Sequence, residues 1–323
     1  MSEQISDIMI FYKAAAIIIC SAAILSSCKG KKDAAQESSK GVLKMIEVPS
    51  IITDEKEAAL YIADHFWDNV DFNDTSYISN KQALNTHFSA YVQNLTTVPH
   101  EAALKSVTKL ADSAIAGNPK MMMKIQEMFE TAFYHPNSIF RNEELYIAIL
   151  KRYIQSDKPE KIIKERLSNQ LDLAMRNRLG TKALDFSFVD ADGRVSSLYK
   201  ISSDYLILMF YDPDCPTCKT TMKVMENSPV LSAAASKVKI LTMYAGVDFE
   251  NWKSHAPQLN KKWINGCNKD LTIMDGSLYD MRPTPSLYLL DRSKTVLMKD
   301  APYQAIEAFV ANQVTGKSVR QPE

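Results

Sequence analysis

The chain has 323 residues, which is long enough for two domains that each bury a hydrophobic core. Lysine plus arginine equals aspartate plus glutamate at 38 each, so the formal net charge is zero and no basic excess indicates a nucleic-acid partner. Hydrophobic residues make up 46% of the sequence, which is typical of a folded globular protein and excludes a chain that is disordered throughout.

The N-terminus carries an apolar run of fourteen uncharged residues, 14–27, directly after Lys13. The run is shorter than the ~20 residues that cross a bilayer, but it has the length of the core of an export signal. It ends in Leu25-Ser-Ser-Cys28, which resembles the lipobox of bacterial lipoproteins. The resemblance implies that residues 1–28 form a signal peptide and that Cys28 is lipidated. It also implies that the protein is anchored to a membrane of the cell envelope and faces the periplasm. An uncleaved membrane anchor is the alternative.

The next segment, residues 29–48, is polar and has no apolar periodicity, which indicates a flexible tether. Residues 49–179 then show helical periodicity. A first helix is predicted to begin at Asp54, with Glu57 at the capping-box distance. Its apolar residues lie on one face. These residues are Leu60, Ala63, Phe66, Trp67 and Val70. Gly117-Asn118-Pro119 ends one helix and begins another, and further helices are predicted near 142–153 and 159–179.

Three stretches of this helical half resemble a domain of unknown function that precedes a thioredoxin-like domain in many lipoproteins of Gram-negative bacteria. They are Phe66-Trp67-Asp68, the stretch from Tyr134 to Tyr146, and the junction from Arg176 to Phe186. Within the second stretch, Tyr134-His135-Pro136 reads as a turn between helices, with a binding surface as the alternative. The resemblance identifies a domain and implies no activity for it.

After residue 180 the pattern changes to alternating strands and helices. Asp192-Gly193 predicts a hairpin turn between two short strands. Apolar strands are predicted at 205–211, 238–244, 286–290 and 295–298, and a last helix at 303–314. This order favours a central sheet with helices on both faces, in a domain that covers residues 180–316 and leaves a tail at 317–323.

Cys215-Pro216-Thr217-Cys218 lies where the strand at 205–211 passes into a helical segment. With Cys215 at the N-cap, Pro216 occupies the first helical position, which suits its fixed φ and missing N–H. The free N–H groups and the positive end of the helix dipole then face the Cys215 sulfur and favour a thiolate. Cys218 follows one turn later. The spacing predicts a redox pair in which Cys215 is the nucleophile and Cys218 resolves the mixed disulfide.

Thr284-Pro285 runs directly into the strand at 286–290, about seventy residues after the cysteines. A strand, a CxxC, a helix and a later Thr-Pro before a strand resemble the thioredoxin superfamily, in its TlpA-like branch. The resemblance implies a cis bond at Pro285, packed beside the CxxC, and a Thr284 backbone that pairs with an extended substrate. The fold predicted for the whole chain is an α+β, two-domain protein. An all-α helical N-terminal domain precedes a thioredoxin-like α/β/α sandwich.

The family implies a thiol–disulfide oxidoreductase that needs no cofactor. Its partners would be disulfide-containing protein substrates and a thiol redox partner. A structural disulfide is the first alternative for Cys215 and Cys218, but so short a loop restricts the unfolded chain little. A zinc site is the second, but it needs four ligands. Only Cys267 and His255 could join the pair, so we expect no metal site and interpret Cys267 as a small buried side chain.

Two carboxylates, Asp212 and Asp214, precede Cys215. Their negative charge opposes a thiolate at Cys215, which favours a reductant over an oxidant. A thioredoxin-fold peroxidase is one alternative function. It would place a threonine three residues before the reactive cysteine, where this chain has Asp212. A binding or scaffold lipoprotein, whose helical domain engages a protein or a glycan, is the other alternative.

Overall fold

The computed structural model describes residues 42–314, which fall in one compact unit. The predicted signal peptide, the lipidation site Cys28, most of the tether and the tail at 317–323 lie outside the described residues. Within residues 42–314, no helix is long and apolar enough to cross a membrane.

Seven helices form the first part of the structure. They are α1 (Glu55–His65), α2 (Ser76–Ser79), α3 (Lys81–Leu95), α4 (His100–Ala116), α5 (Pro119–Phe129), α6 (Glu143–Gln155) and α7 (Lys161–Met175). A π-helical turn, Glu130–Tyr134, extends α5. The predicted helical half is therefore confirmed, although α7 ends at Met175, before the predicted 179.

Local capping explains where these helices begin. The Asp54 side chain accepts hydrogen bonds from the N–H groups of Lys56 and Glu57 at the start of α1, and Asn118 caps α5 with Pro119 at its first position. Because α1 ends at His65, Phe66 and Trp67 lie in the turn that follows and not on the helix as predicted. They are still buried, so the apolar pattern identified core residues in a segment that is not helical.

His87 of α3 lies in the aromatic core of the helical part. Its ring centroid is 4.6 Å from that of Phe66 and 4.9 Å from that of Trp67. Burial lowers the pKa of His87 to about 4, because the charged imidazolium would lose its hydration there. The ring is therefore neutral at neutral pH and acts as a packing residue.

The second part is a seven-stranded sheet. Its strands are β1 (Ser187–Val189), β2 (Val195–Ser197), β3 (Tyr205–Phe210), β4 (Val238–Tyr244), β5 (Ile264–Cys267), β6 (Ser286–Asp291) and β7 (Val296–Met298). Their order is β2-β1-β5-β4-β3-β6-β7. The predicted hairpin is confirmed, since β1 and β2 pair antiparallel around Gly193, whose φ of 81° favours glycine.

Five helices accompany the sheet: α8 (Pro216–Glu226), α9 (Pro229–Ala233), α10 (Phe249–His255), α11 (Thr272–Asp275) and α12 (Tyr303–Gln313). One face of the sheet packs against α8, α9, α10 and α12. The helical contributions to the other face are a 3-10 turn at Leu198–Lys200 and the four-residue α11. The helices are thus distributed less evenly over the two faces than the sequence predicted.

Polar contacts hold the helical part against the sheet. Lys299 Nζ lies 2.7 Å from Glu143 Oε2 and donates to the Arg176 carbonyl at 2.7 Å. The Asn177 side chain donates to the Leu278 carbonyl at 2.7 Å. These contacts join α6 and the end of α7 to the loop before β6, which contains Leu278, and to Lys299, which follows β7.

Candidate redox site

The two cysteines lie where strand β3 gives way to helix α8. Cys215 is the N-cap of the helix and Pro216 is at its first position. The backbone N–H of Cys218 donates to the Cys215 sulfur at 3.1 Å. An N-cap side chain accepts hydrogen bonds that the first helical turn cannot make internally, and a sulfur in this position is stabilised when it carries negative charge. The predicted capping geometry is confirmed.

The two sulfurs differ in access to solvent. Cys215 is half-buried, whereas Cys218 is fully buried in the core between α8 and the sheet. Burial raises the pKa of the Cys218 thiol, and its hydrogen bond with Cys215 raises it further. Of the two sulfurs, that of Cys215 is therefore the more accessible from solvent.

The Thr284–Pro285 peptide bond is cis, as the sequence predicted. The Cys215 thiol donates to the Thr284 carbonyl oxygen at 3.6 Å, so the cis-proline loop abuts the cysteine pair. The two segments meet because β3 and β6 are antiparallel neighbours, with Phe210 opposite Ser286. The end of β3 and the start of β6 therefore lie at the same edge of the sheet.

The Thr284 backbone presents an unused hydrogen-bond donor next to Cys215. Thr284 is exposed, and within residues 42–314 its N–H has no hydrogen-bond partner. An exposed backbone amide beside a reactive sulfur can pair with an extended chain, as at a free sheet edge.

The aspartates before Cys215 shape the turn that positions it. The Asp212 side chain accepts a hydrogen bond from the Asp214 N–H at 2.8 Å. The Asp212 carbonyl accepts one from the Cys215 N–H at 3.1 Å. The Asp214 carboxylate accepts from the Asn251 side chain at 2.9 Å. The loop is thereby fixed to α10, and its carboxylates place negative charge next to the cysteine pair.

Buried aromatic side chains pack in the same core as Cys218. The indole N–H of Trp252 donates to the Tyr211 hydroxyl at 3.0 Å, and both rings belong to the core that also contains Cys218 and Cys267. Cys267 is fully buried on β5, and burial raises its pKa to about 11. The interpretation of Cys267 as a small buried side chain is confirmed. Within residues 42–314, no group of three or more His, Cys, Asp or Glu side chains could hold a metal ion.

The loop before the cis-proline is tied to the helical part, which the sequence did not reveal. Arg282 lies over the Tyr134 ring, with the guanidinium carbon 3.5 Å from the ring centroid. Its Nε donates to Asp280 Oδ1 at 2.8 Å, and Arg141 of the helical part lies 3.4 Å from the same carboxylate. Arg141 also pairs with Asp300. The contacts of Arg282 with Tyr134 and of Arg141 with Asp280 and Asp300 join residues more than a hundred positions apart, so no local pattern predicts them.

A cleft of about 830 Å³ opens beside the redox site. Thr217 and Pro285 line it on one side, and Pro136 and Ile139 of the helical part line it on the other. Tyr134 ends the π-helical turn, His135 and Pro136 lie in the turn that follows, as expected, and Pro136 itself lines the cleft. No local sequence pattern predicts this cleft, because its walls come from distant parts of the chain.

Comparison with known proteins agrees with this architecture. Residues 24–177 match the model of a domain of unknown function, DUF5106. A thioredoxin-like protein from Bacteroides caccae, known from its crystal structure, is 35% identical, with a TM-score of 0.80. The match covers 84% of this chain and 98% of that chain, so it extends over both the helical part and the sheet.

Two shorter structures match the chain in part. The C-terminal domain of an uncharacterized protein from Bacteroides fragilis is 41% identical over 42% of this chain and 98% of that chain, with a TM-score of 0.41. A domain of a possible thiol-disulfide isomerase from Cytophaga hutchinsonii is 25% identical over 43% of this chain and 95% of that chain, with a TM-score of 0.37. No curated protein matches significantly. Because the Bacteroides caccae protein is matched over 98% of its length at 35% identity, this chain belongs to the thioredoxin-like proteins.

Proposed function

We propose that the protein is a thiol–disulfide oxidoreductase that acts on disulfides of other proteins. One observation carries the proposal: Cys215 caps helix α8, accepts the Cys218 N–H at 3.1 Å, and lies 3.6 Å from the carbonyl oxygen of the cis Thr284–Pro285 bond. A half-buried sulfur at a helix N-terminus, with a buried second thiol one turn away, has the arrangement that reversible disulfide exchange requires.

The reaction proceeds in two exchanges. The Cys215 thiolate attacks one sulfur of the substrate disulfide, a bond forms between Cys215 and that sulfur, and the other substrate sulfur leaves as a thiolate that takes up a proton. Cys218 then loses its proton and attacks the Cys215 sulfur. The substrate's second thiol is released, and a Cys215–Cys218 disulfide remains. The substrate has gained two electrons, and the protein has lost two.

The cis-proline loop would hold the substrate during these steps. The unpartnered Thr284 N–H supports this role, because it can donate to the carbonyl of an extended chain on either side of the substrate cysteine. Pro285 offers no N–H of its own and keeps the adjacent surface apolar.

We propose that the pair works as a reductant. Asp212 and Asp214 lie in the turn before Cys215, and their charge opposes negative charge on the reduced pair. A less stabilised reduced form gives up its electrons more readily. A separate thiol protein must then reduce the Cys215–Cys218 disulfide after each cycle. We further propose that a lipid on Cys28 anchors the protein to a membrane of the cell envelope, facing the periplasm. The sequence of residues 14–28 supports this anchor.

Insulin reduction and the reduction potential of the pair test the proposal. The purified full chain should catalyse reduction of insulin by dithiothreitol, and Cys215→Ser should abolish this catalysis. Cys267→Ser, the matched control at the buried third cysteine, should retain it. A reductant should have a potential near about −270 mV, whereas an oxidant would lie near about −120 mV. A pair that neither cycles nor accelerates insulin reduction would contradict the proposal and favour a binding role.

A further inference from the structure

The cleft between the helical part and the redox site is continuous with the residues that handle the substrate disulfide. Thr217, between the two cysteines, and Pro285, of the cis bond, both line it. A polypeptide whose cysteine is bonded to Cys215 can therefore extend into this cleft past Thr217 and Pro285. An extended chain advances about 3.3 Å per residue, so the residues nearest the substrate cysteine lie within its reach.

The charged side chains that line the cleft are already paired with opposite charges. Each of the five charged side chains that line it has an oppositely charged partner. Arg141 pairs with Asp300 and Asp280, Glu143 with Lys299, and Glu144 with Arg178. A charged ligand would have to break one of these pairs and would gain little. The cleft thus has no preference for charge.

Exposed aliphatic side chains lie among the uncharged residues that line the cleft. Ile139 of the helical part is 69% exposed, Leu179 is 56% exposed, and Val224 of α8 is 48% exposed. Three large aliphatic side chains from separate segments thus face one cleft without being covered. Exposed aliphatic groups that converge beside charged groups already paired are typical of a site for an apolar side chain.

We infer that the cleft receives the residues next to the cysteine of a protein substrate, and that the helical part thereby selects extended segments with large aliphatic side chains. This inference rests on the proposed oxidoreductase function, because it assigns the cleft's occupant from the position of Cys215. The helical part then contributes directly to substrate recognition, through Ile139 and the turn that carries it.

Two peptides test the inference. Each carries one cysteine, joined as a mixed disulfide to a coloured nitrothiobenzoate group, and is flanked on both sides by leucine and valine or by serine and asparagine. Attack by Cys215 on the peptide sulfur releases the coloured thiolate, and Cys218 then displaces the peptide thiol. With the pre-reduced full chain in excess, the aliphatic peptide should react about tenfold faster than the polar one, because one large side chain becomes buried.

Ile139→Ser should remove most of this preference, and Val224→Ser should reduce it. The matched controls are Ile162→Ser and Val195→Ser, at exposed positions outside the cleft, 66% and 69% exposed. Both controls should keep the preference of the unaltered protein. Equal rates for the two peptides, or equal losses in the cleft variants and the controls, would overturn the inference.

A binding measurement separates this inference from the proposed function. The aliphatic peptide with serine in place of cysteine, labelled with a fluorophore, is titrated with the full chain and followed by anisotropy. If neither disulfide peptide reacts, yet this peptide binds and Ile139→Ser weakens the binding several-fold, the cleft assignment stands and the redox function fails. If no reaction and no binding occur, both fail. If the disulfide peptides react without preference, the redox function stands and the cleft assignment fails.

Discussion

Replacing Asp280 by asparagine should destabilise the protein strongly, because its carboxylate is the buried anion that joins the cis-proline loop to the helical part. The side chain is 0% exposed and accepts from Arg282 at 2.8 and 2.5 Å. Arg141 approaches it at 3.4 Å. An asparagine of the same shape removes the negative charge and leaves two guanidinium groups facing a neutral amide.

The size of the effect follows from how much of each arginine remains buried. Loss of one member of a buried ion pair costs about 3–5 kcal/mol. Arg282 is 35% exposed and can regain some hydration, and Arg141 keeps Asp300, so we expect the lower end, about 3 kcal/mol. With ~2–4 °C of melting temperature per kcal/mol, the variant should melt roughly 6–12 °C lower.

The loss should also depend on pH. Burial opposes ionisation of Asp280, but the hydrogen bonds and charge of Arg282, followed by the charge of Arg141, outweigh it and hold the pKa of Asp280 below its ordinary value. A carboxyl whose pKa is lowered on folding contributes stability above its unfolded pKa, about 3.9, and loses that contribution as the pH falls through its folded pKa. The difference in stability between the unaltered protein and Asp280→Asn should therefore be largest at neutral pH and shrink below about pH 4.

Scanning calorimetry at several pH values measures both effects. The control is Asp192→Asn, because Asp192 pairs with Arg194 at 3.0 Å on the surface and is 68% exposed. Exposed pairs contribute about 0–1 kcal/mol, so the control should melt close to the unaltered protein. Equal shifts in the two variants, or a shift for Asp280→Asn that is unchanged down to pH 2, would refute the reasoning.

Three other predictions concern single side chains. Cys218→Ser should accumulate mixed disulfides with substrates and Cys215→Ser should not, both in a Cys267→Ser background, on non-reducing gels after alkylation; equal adducts would contradict the assigned roles. Cys267, buried and with its pKa raised to about 11 by burial, should resist iodoacetamide at pH 8 until the protein is denatured, as read by mass spectrometry. Labelling in the folded state would show that it is accessible. Burial lowers the pKa of His87 to about 4, so the unfolded chain binds more protons between pH 6.5 and 4, and stability should fall by about 3 kcal/mol over that range. His87→Phe should flatten this part of the stability curve, and parallel curves would show that His87 is not the cause.

Features that depend on neighbouring residues could be predicted from the sequence. The cap by Cys215 follows from the cysteine and proline at the start of a helical segment, and the hairpin follows from Asp192-Gly193 between two alternating strands. Asp54 and Asn118 began helices where expected. In each case the backbone conformation and the side-chain partner lie within a few positions, so the local sequence carries the information.

Features that depend on distant partners could not be predicted in this way. Strand β5 has only four residues, including Gly266, and is recognisable only from its pairing with β4 and β1. Trp67 fits the helical period but lies in a turn, since the helix ends at His65. The surrounding core buries its ring even though the segment is not helical. The stacking of Arg282 on Tyr134 needs the folded arrangement of both parts.

The position of Arg282 argues that the helical part is more than a spacer before the redox domain. Arg282 is two residues before Thr284, whose carbonyl meets the Cys215 thiol, and its guanidinium group lies 3.5 Å from the Tyr134 ring centroid. The segment that begins at Tyr134 therefore contacts the same short loop that faces the cysteine pair. Because that segment also carries Ile139, one element of the helical part both lines the proposed substrate cleft and contacts the loop beside the sulfur. Substitutions in this segment should change the preference among substrates while the cysteine pair can still be oxidised. The two peptide substrates with Ile139→Ser measure both properties.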